Sequence, residues 1–157
     1  NLYGPGDDYH PEHSHVIGAL IRKFVNAVDA GESTVTCWGS GAPTREFLYV
    51  DDCAEGVVRA AERLDEPIPV NLGTGQEVAI RELAETIAEL VGFKGELEWD
   101  TSRPDGQPRR SLDSRRARQL LGFEATVSLK DGLKTAIADY HAYKAAHETQ
   151  QPAMAGA

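Results

Sequence analysis

Apolar residues return every three or four positions along two stretches of the chain, and each stretch predicts an amphipathic helix. In the first, Ile17, Leu20, Ile21, Phe24 and Val28 share a face, with Ser14 as N-cap and Gly31 as the stop. The second, IRELAETIAELVG, puts Ile80, Leu83, Ala84, Ile87 and Val91 on one side and ends at Gly92. Start and stop signals predict three more helices. Asp52 and Glu55 make a capping-box-like opening for a helix carrying Val57, Val58, Ala61 and Leu64. Asp113 or Ser114 caps one through Leu120 and Leu121 that ends at Gly122, and Ser128 opens a last helix through Tyr143. Four short runs between the helices read as strands: STVTCWGSG, REFLYV, PIPVNLGTG and ELEWD, with TSRPDGQPRR as a loop. Alternating strands and helices give an α/β fold class. The polar, small-residue end of the chain is expected to be disordered, which leaves residues 1–146 as one unit and 147–157 as a tail.

A chain of 157 residues is long enough for one domain with a real core. Its net charge of -9 argues against general affinity for nucleic acid or anionic membranes. No apolar run approaches the roughly 20 residues of a membrane span, and no signal-peptide pattern is present. Two cysteines, Cys37 and Cys53, are too few for a disulfide framework and read as core filler, which makes a reducing cytoplasm the default location. The chain opens on Asn1, and NLYGPGDD reads as a strand end running into a turn, as in the middle of a protein. A fragment is expected.

The phosphate-binding GxGxxG loop of a dinucleotide enzyme is missing; GSGAPT and GTGQEV are better read as turns. Tyr140 and Lys144 have the YxxxK spacing of hydride chemistry, but they stand near the chain end without a cofactor loop upstream, so they read as ordinary helix residues. The stretch HPEHSH holds His10, His13 and His15. Its spacing is not a familiar zinc pattern, and no further ligands cluster nearby, so His10 and His13 read as surface residues and no metal is expected. His15 differs because it falls at a helix start, where the dipole disfavours imidazolium and leaves a ring able to exchange protons. From the residues alone it is either an acid/base group or a histidine packed at a helix end. Arg22, Lys23 and Arg45 are candidates for anion binding or plain surface charge. Trp38, just before a glycine turn, suits either a sugar or base pocket or a core. Asp105 in PDG could be turn chemistry alone. Asp51 and Asp52 read as capping residues, and Arg109, Arg115, Arg116 and Arg118 as helix-surface charge, with no interleaved aromatics to suggest RNA.

Several strings together resemble one family. NLYGPGDD, SHVIGALIRKF, VTCWGSGAPTREFLYVDDCAEGV, VNLGTG, IRELAETIAELVGF and SRPDGQPRRSLD are similar, in order, to the C-terminal half of the GDP-L-fucose synthase family. That family belongs to the extended short-chain dehydrogenase/reductases, among the NAD-dependent epimerases and dehydratases of nucleotide sugars. The resemblance implies the substrate-binding part of such a fold, lacking most of the Rossmann domain. It implies an enzyme that takes GDP-4-keto-6-deoxy-D-mannose, inverts the two carbons beside the ketone and reduces it with NADPH to GDP-L-fucose. His15 matches the epimerisation acid/base beside the nicotinamide, and Asn1 and Leu2 match the segment approaching that end of NADP. Lys23, Trp38, Arg45 and Asp105 match GDP-sugar contacts, with Arg110 in the same loop as Asp105. The missing N-terminal half would carry the NADP loop and the reduction residues, so the chain alone is expected to be inactive. The resemblance also implies a homodimer in the full-length protein. Gly18 departs from the proline expected there. Another GDP- or UDP-sugar epimerase or dehydratase, or a non-catalytic nucleotide-binding fragment, remains the alternative.

Overall fold

The computed structural model describes residues 1–148. Three small sheets carry the strands. β1 (Leu2–Tyr3) pairs in parallel with β4 (Leu48–Tyr49), and β2 (Thr34–Trp38) in parallel with β6 (Glu96–Asp100). β3 (Thr44–Glu46) lies between β5 (Glu77–Ala79), antiparallel, and β7 (Arg109–Arg110), parallel. The helices are α1 (Val16–Ala30), α2 (Val50–Arg63), α3 (Ile80–Val91), α4 (Arg115–Leu121) and α5 (Leu129–Glu148). The main core forms where the apolar faces of α1, α3 and α5 meet, with Ile21, Phe24, Leu83, Ile87 and Leu133 wholly buried. Leu48, Ala117, Leu121 and Phe123 make a smaller cluster that includes residues of α2 and α4. No helix among the described residues is long and apolar enough to cross a membrane.

The predicted helices α1 and α3 stop where their glycines enter the left-handed region, at φ 66° for Gly31 and 78° for Gly92. Other local expectations are corrected. His15, not Ser14, is the N-cap of α1, and it makes no side-chain capping bond. REFLYV is not one strand: it breaks at Phe47, and Val50 already belongs to α2. PIPVNLGTG forms no strand, and most of it is exposed; β5 follows it instead. Part of the expected loop, Arg109–Arg110, pairs as β7. Asp52 does not cap α2, which has Tyr49 at its N-cap. Its buried carboxylate accepts bonds from the backbone of Thr126 and Val127 and from Thr126 Oγ1, tying α2 to the approach to α5. Ser128 does open α5, its hydroxyl accepting from Asp131 N at 3.1 Å. That helix continues past Tyr143 to Glu148; the rest of the expected tail lies outside the described residues.

Gly18 has a packing reason. A Cβ there would stand 2.7 Å from the Asp8 carbonyl oxygen, so with glycine the 7–9 segment lies closer against α1 than a larger residue would let it without a shift. Tyr140 and Lys144 are held by α1: the Tyr140 hydroxyl and the Lys144 ammonium both donate to Asn26 Oδ1, and Lys144 pairs with Asp29. Their YxxxK spacing therefore serves helix packing. Cys37 is buried core, whereas Cys53 is only partly buried; both are free thiols.

Candidate functional site

Strand alternation in β2 buries Val35 and Cys37 and turns Trp38 outward, 64% exposed. Two adjoining cavities use its faces. One, of about 220 Å³, is lined by Asn1, Trp38, Arg45 and Asp105. The other, of about 250 Å³, is lined by Lys23, Trp38 and Trp99. Val16, Trp38 and Ile80 belong to both, so they form one continuous groove. Residues far apart in sequence thus converge: Asn1, Lys23, Trp38, Arg45 and Asp105. His15 is exposed at the start of α1, immediately before Val16 of the groove wall. Arg110 sits one strand over from Arg45, as its register partner, and lines a neighbouring cleft of about 80 Å³ with Asn1 and Glu46. Leu2 is exposed and lines neither cavity.

The groove is basic in an acidic chain. Lys23 Nζ lies 5.2 Å from the centre of the Trp38 ring, and the Arg103 guanidinium 5.1 Å. Lys23 also donates to the Thr36 carbonyl at 2.8 Å. Burial, opposed by Cys37 and aided by Arg22, pulls the Lys23 ammonium below its ordinary pKa, and an anionic partner beside it would oppose that shift. Arg45 and Arg110 stand side by side on β3 and β7. Such a pair suits an anion with several oxygens.

Glycine makes the turn after β2. Gly39 and Gly41 have φ values of 79° and 74°, and a Cβ on Gly41 would lie 2.7 Å from the Trp99 ring. Asp105 clips the 101–108 loop onto that turn, its carboxylate accepting from Ser40 N at 2.6 Å and Ser40 Oγ at 2.7 Å. These two bonds hold the Asp105 carboxyl below its usual value. A depressed pKa in the folded state means that the clip stabilises the fold above pH 3.8 and is lost as pH falls below it. The Ser40 amide should therefore be protected from exchange, relative to its intrinsic rate at each pH, near neutrality and lose that protection in acid, and in Asp105→Ala it should be unprotected throughout. Protection surviving in Asp105→Ala would remove the clip.

Several other residues have roles outside the groove. His10 and His13 are exposed and stacked on each other, ring centres 4.7 Å apart. Among the described residues no group of His, Cys, Asp and Glu side chains is arranged to hold a metal. Arg109 is paired with Glu77, Arg115 with Asp113 and Arg118 with Glu124, while Arg116 donates to the Pro69 carbonyl. A cavity of about 440 Å³ is lined by Pro69, Asn71, Asp113, Arg115, Arg116 and Gln119, with both of its arginines already engaged. Neither glycine turn opens onto a dinucleotide cradle: the 39–41 turn is occupied by Asp105, and a Cβ on Gly73 would strike the Glu46 carboxylate. The described residues therefore give a dinucleotide no phosphate loop.

Sequence reasoning missed Arg103 and Glu46. Arg103 lies inside a motif string and carries the charge that should have drawn notice. Glu46, 3% exposed, joins three segments: its carboxylate accepts from Gly75 N at 3.0 Å and Leu112 N at 2.9 Å, while Asn1 Nδ2 donates to its carbonyl. Nothing in the spacing of Glu46 signals that role.

Residues 1–73 match the NAD dependent epimerase/dehydratase family. GDP-L-fucose synthase 1 of Arabidopsis thaliana is 52% identical over 133 residues, covering 85% of this chain and 41% of that protein. GDP-L-fucose synthase of Escherichia coli is 47% identical over 142 residues, covering 85% of this chain and 44% of that protein. A GDP-L-fucose synthetase from Naegleria fowleri, solved bound to NADP, superposes with a TM-score of 0.85 at 28% identity, over 92% of this chain and 46% of that one. The chain thus spans about two fifths of the length of the curated relatives it matches.

Proposed function

We propose that this chain, a member of the NAD dependent epimerase/dehydratase family through its first 73 residues, supplies the GDP-sugar-binding part of an NADPH-dependent epimerase-reductase that makes GDP-L-fucose from GDP-4-keto-6-deoxy-D-mannose. The observation that carries the reading is the convergence of Asn1, Trp38, Arg45 and Asp105 on one cavity, with Lys23 on the wall of the next. Relatives named for that activity, near half identity, support it.

In this reading Lys23, Arg45 and Arg110 hold the diphosphate. Trp38 offers a flat wall, and Asp105 keeps the loop shut against the 39–41 turn. His15, at the exposed start of α1, removes or returns a proton at carbon on its own face of the sugar, and inversion takes a second acid/base group on the opposite face. Asp7 lies close enough for its charge to interact with His15, though burial is the main cause that raises its carboxyl pKa. A nicotinamide cofactor would supply the hydride for reducing the ketone, and Asn1, Leu2 and His15 would be the residues of this chain that meet its nicotinamide end. In this reading the chain alone binds nucleotide without turnover. A cytoplasmic setting suits its two free thiols.

Calorimetric titration tests this. GDP should bind, NADPH should not, and Lys23→Ala and Arg45→Ala should each weaken GDP by roughly tenfold or more, as expected when a charged hydrogen-bond partner is removed. GDP affinity unchanged in both variants would sink the assignment.

A further inference from the structure

The helix that opens on His15 has no negative charge of its own at that end. No side chain caps α1, its first turn holds no acidic residue, and the positive end of its dipole falls at His15. Resting on the acid/base reading of His15, we infer that Asp7 is its positioning residue: a carboxylate from another segment that balances the start of α1 and stabilises the His15 ring once it has taken up a proton.

The segment that carries Asp7 is pinned between α1 and α5. Gly6 N donates to Asp139 Oδ2 at 3.0 Å, and the hydroxyl of the buried Tyr9 stands 3.0 Å from that oxygen and 3.1 Å from the Ala136 carbonyl. On the other side the segment lies on Gly18, where a Cβ would stand 2.7 Å from the Asp8 carbonyl oxygen and 3.7 Å from Asp7 Oδ2. Gly18 is three residues after His15 and shares its face of the helix. The Asp7 carboxylate therefore lies over the first turn of α1.

One of its oxygens is left over. Oδ1 accepts from Asp8 N at 2.8 Å, and Oδ2 has no hydrogen-bond partner among the described residues. Burial is the largest influence on this half-buried carboxyl and raises its pKa. The Asp8 amide and then the His15 charge act the other way, and His15 counts for more than Asp8 or Asp139. A half-buried carboxylate is costly unless a charge or dipole compensates it, and α1 with His15 supplies both. The other charged groups near this end are Asp8, Asp139 on α5, Glu12, His10 and His13 on the intervening turn, and Arg22 two turns along α1. Asp8 Oδ1 is engaged by His10 N, Asp139 by Gly6 and Tyr9, and Arg22 by the Pro11 carbonyl.

In the epimerisation the proton leaving carbon passes to a ring nitrogen of His15, which leaves an imidazolium and an enolate. Asp7 takes no proton and stays ionised throughout. Its charge lowers the energy of the imidazolium, which the helix dipole alone would raise.

Magnetic-resonance titration of the chain tests the pairing without any turnover. In the unaltered chain the Asp7 carboxyl resonance should step as the His15 ring titrates, and His15→Ala should abolish that step, because coupling between two sites is reciprocal. In Asp7→Asn the His15 ring should hold its proton about three- to tenfold less tightly and titrate at lower pH, a modest effect for an opposite charge because His15 is exposed. Asp8→Asn and Asp139→Asn should move it less. Equal shifts in all three variants, or no step at Asp7, overturn the pairing. In the complete enzyme Asp7→Asn should displace the pH profile of deuterium wash-in to lower pH and lower its plateau, while reduction of an already epimerised substrate changes far less. A profile that stays in place overturns the inference. Wash-in undiminished in His15→Ala removes the acid/base reading beneath it, whatever the ring titration shows.

Discussion

Glu46→Ala is expected to destabilise the chain by about 3 kcal/mol, because it strands the backbone donors of Gly75 and Leu112 at roughly 1–3 kcal/mol each. The loss is local in origin. Both donors belong to segments flanking β3, and β3 carries Arg45. Affinity for GDP should fall along with stability, since the β3–β7 pairing that sets Arg45 beside Arg110 depends on the segment at Leu112. Glu46→Gln retains one accepting oxygen and should lie between the two proteins. Chemical denaturation gives the stability and titration gives the affinity. A change below about 0.5 kcal/mol, the range of an ordinary surface substitution, would mean that the three segments are held by something else.

The second large effect concerns His15 in the complete enzyme. His15→Ala should slow the wash-in of deuterium from heavy water at the carbons beside the ketone by about 100- to 10,000-fold, the usual contribution of a positioned acid/base group. Reduction of a substrate already epimerised should change far less, because no proton at carbon is moved in that step. His15 makes no capping bond, so the fold should tolerate the change. Undiminished wash-in would take the acid/base role from His15 and favour an epimerase or dehydratase that needs no such group.

Helices α1 and α3 were legible because their signals are local: apolar spacing on one face and a glycine in the left-handed region at the end. The strands were harder. REFLYV carries strand-forming residues throughout, yet its pairing partners change at Phe47, from β5 and β7 on one side to β1 on the other. Spacing along a chain contains no record of which neighbour will arrive. The same holds for PIPVNLGTG, apolar enough for a strand but making no ladder. Asp52 misled for a related reason: its position in the first turn of α2 suggested a cap, while its carboxylate was claimed by Thr126, 74 residues away.

The groove was legible mostly through resemblance. Periodicity cannot say that Asn1, Arg45 and Asp105 meet, since each sits at the end of a different segment. Charge alone pointed equally to Arg22, Lys23 and the arginines that turned out to be ion-paired on the surface.

One consequence follows from where the indoles lie. The chain has two tryptophans, Trp38 and Trp99, and both line the groove. Its tryptophan emission therefore reports on the groove and on nothing else. Trp38 is exposed beneath two cations, and Trp99 lies under the Gly41 turn and the Arg81 guanidinium. A ligand entering the groove dries one ring and displaces charge from another, so colour and intensity should move together without any label being attached.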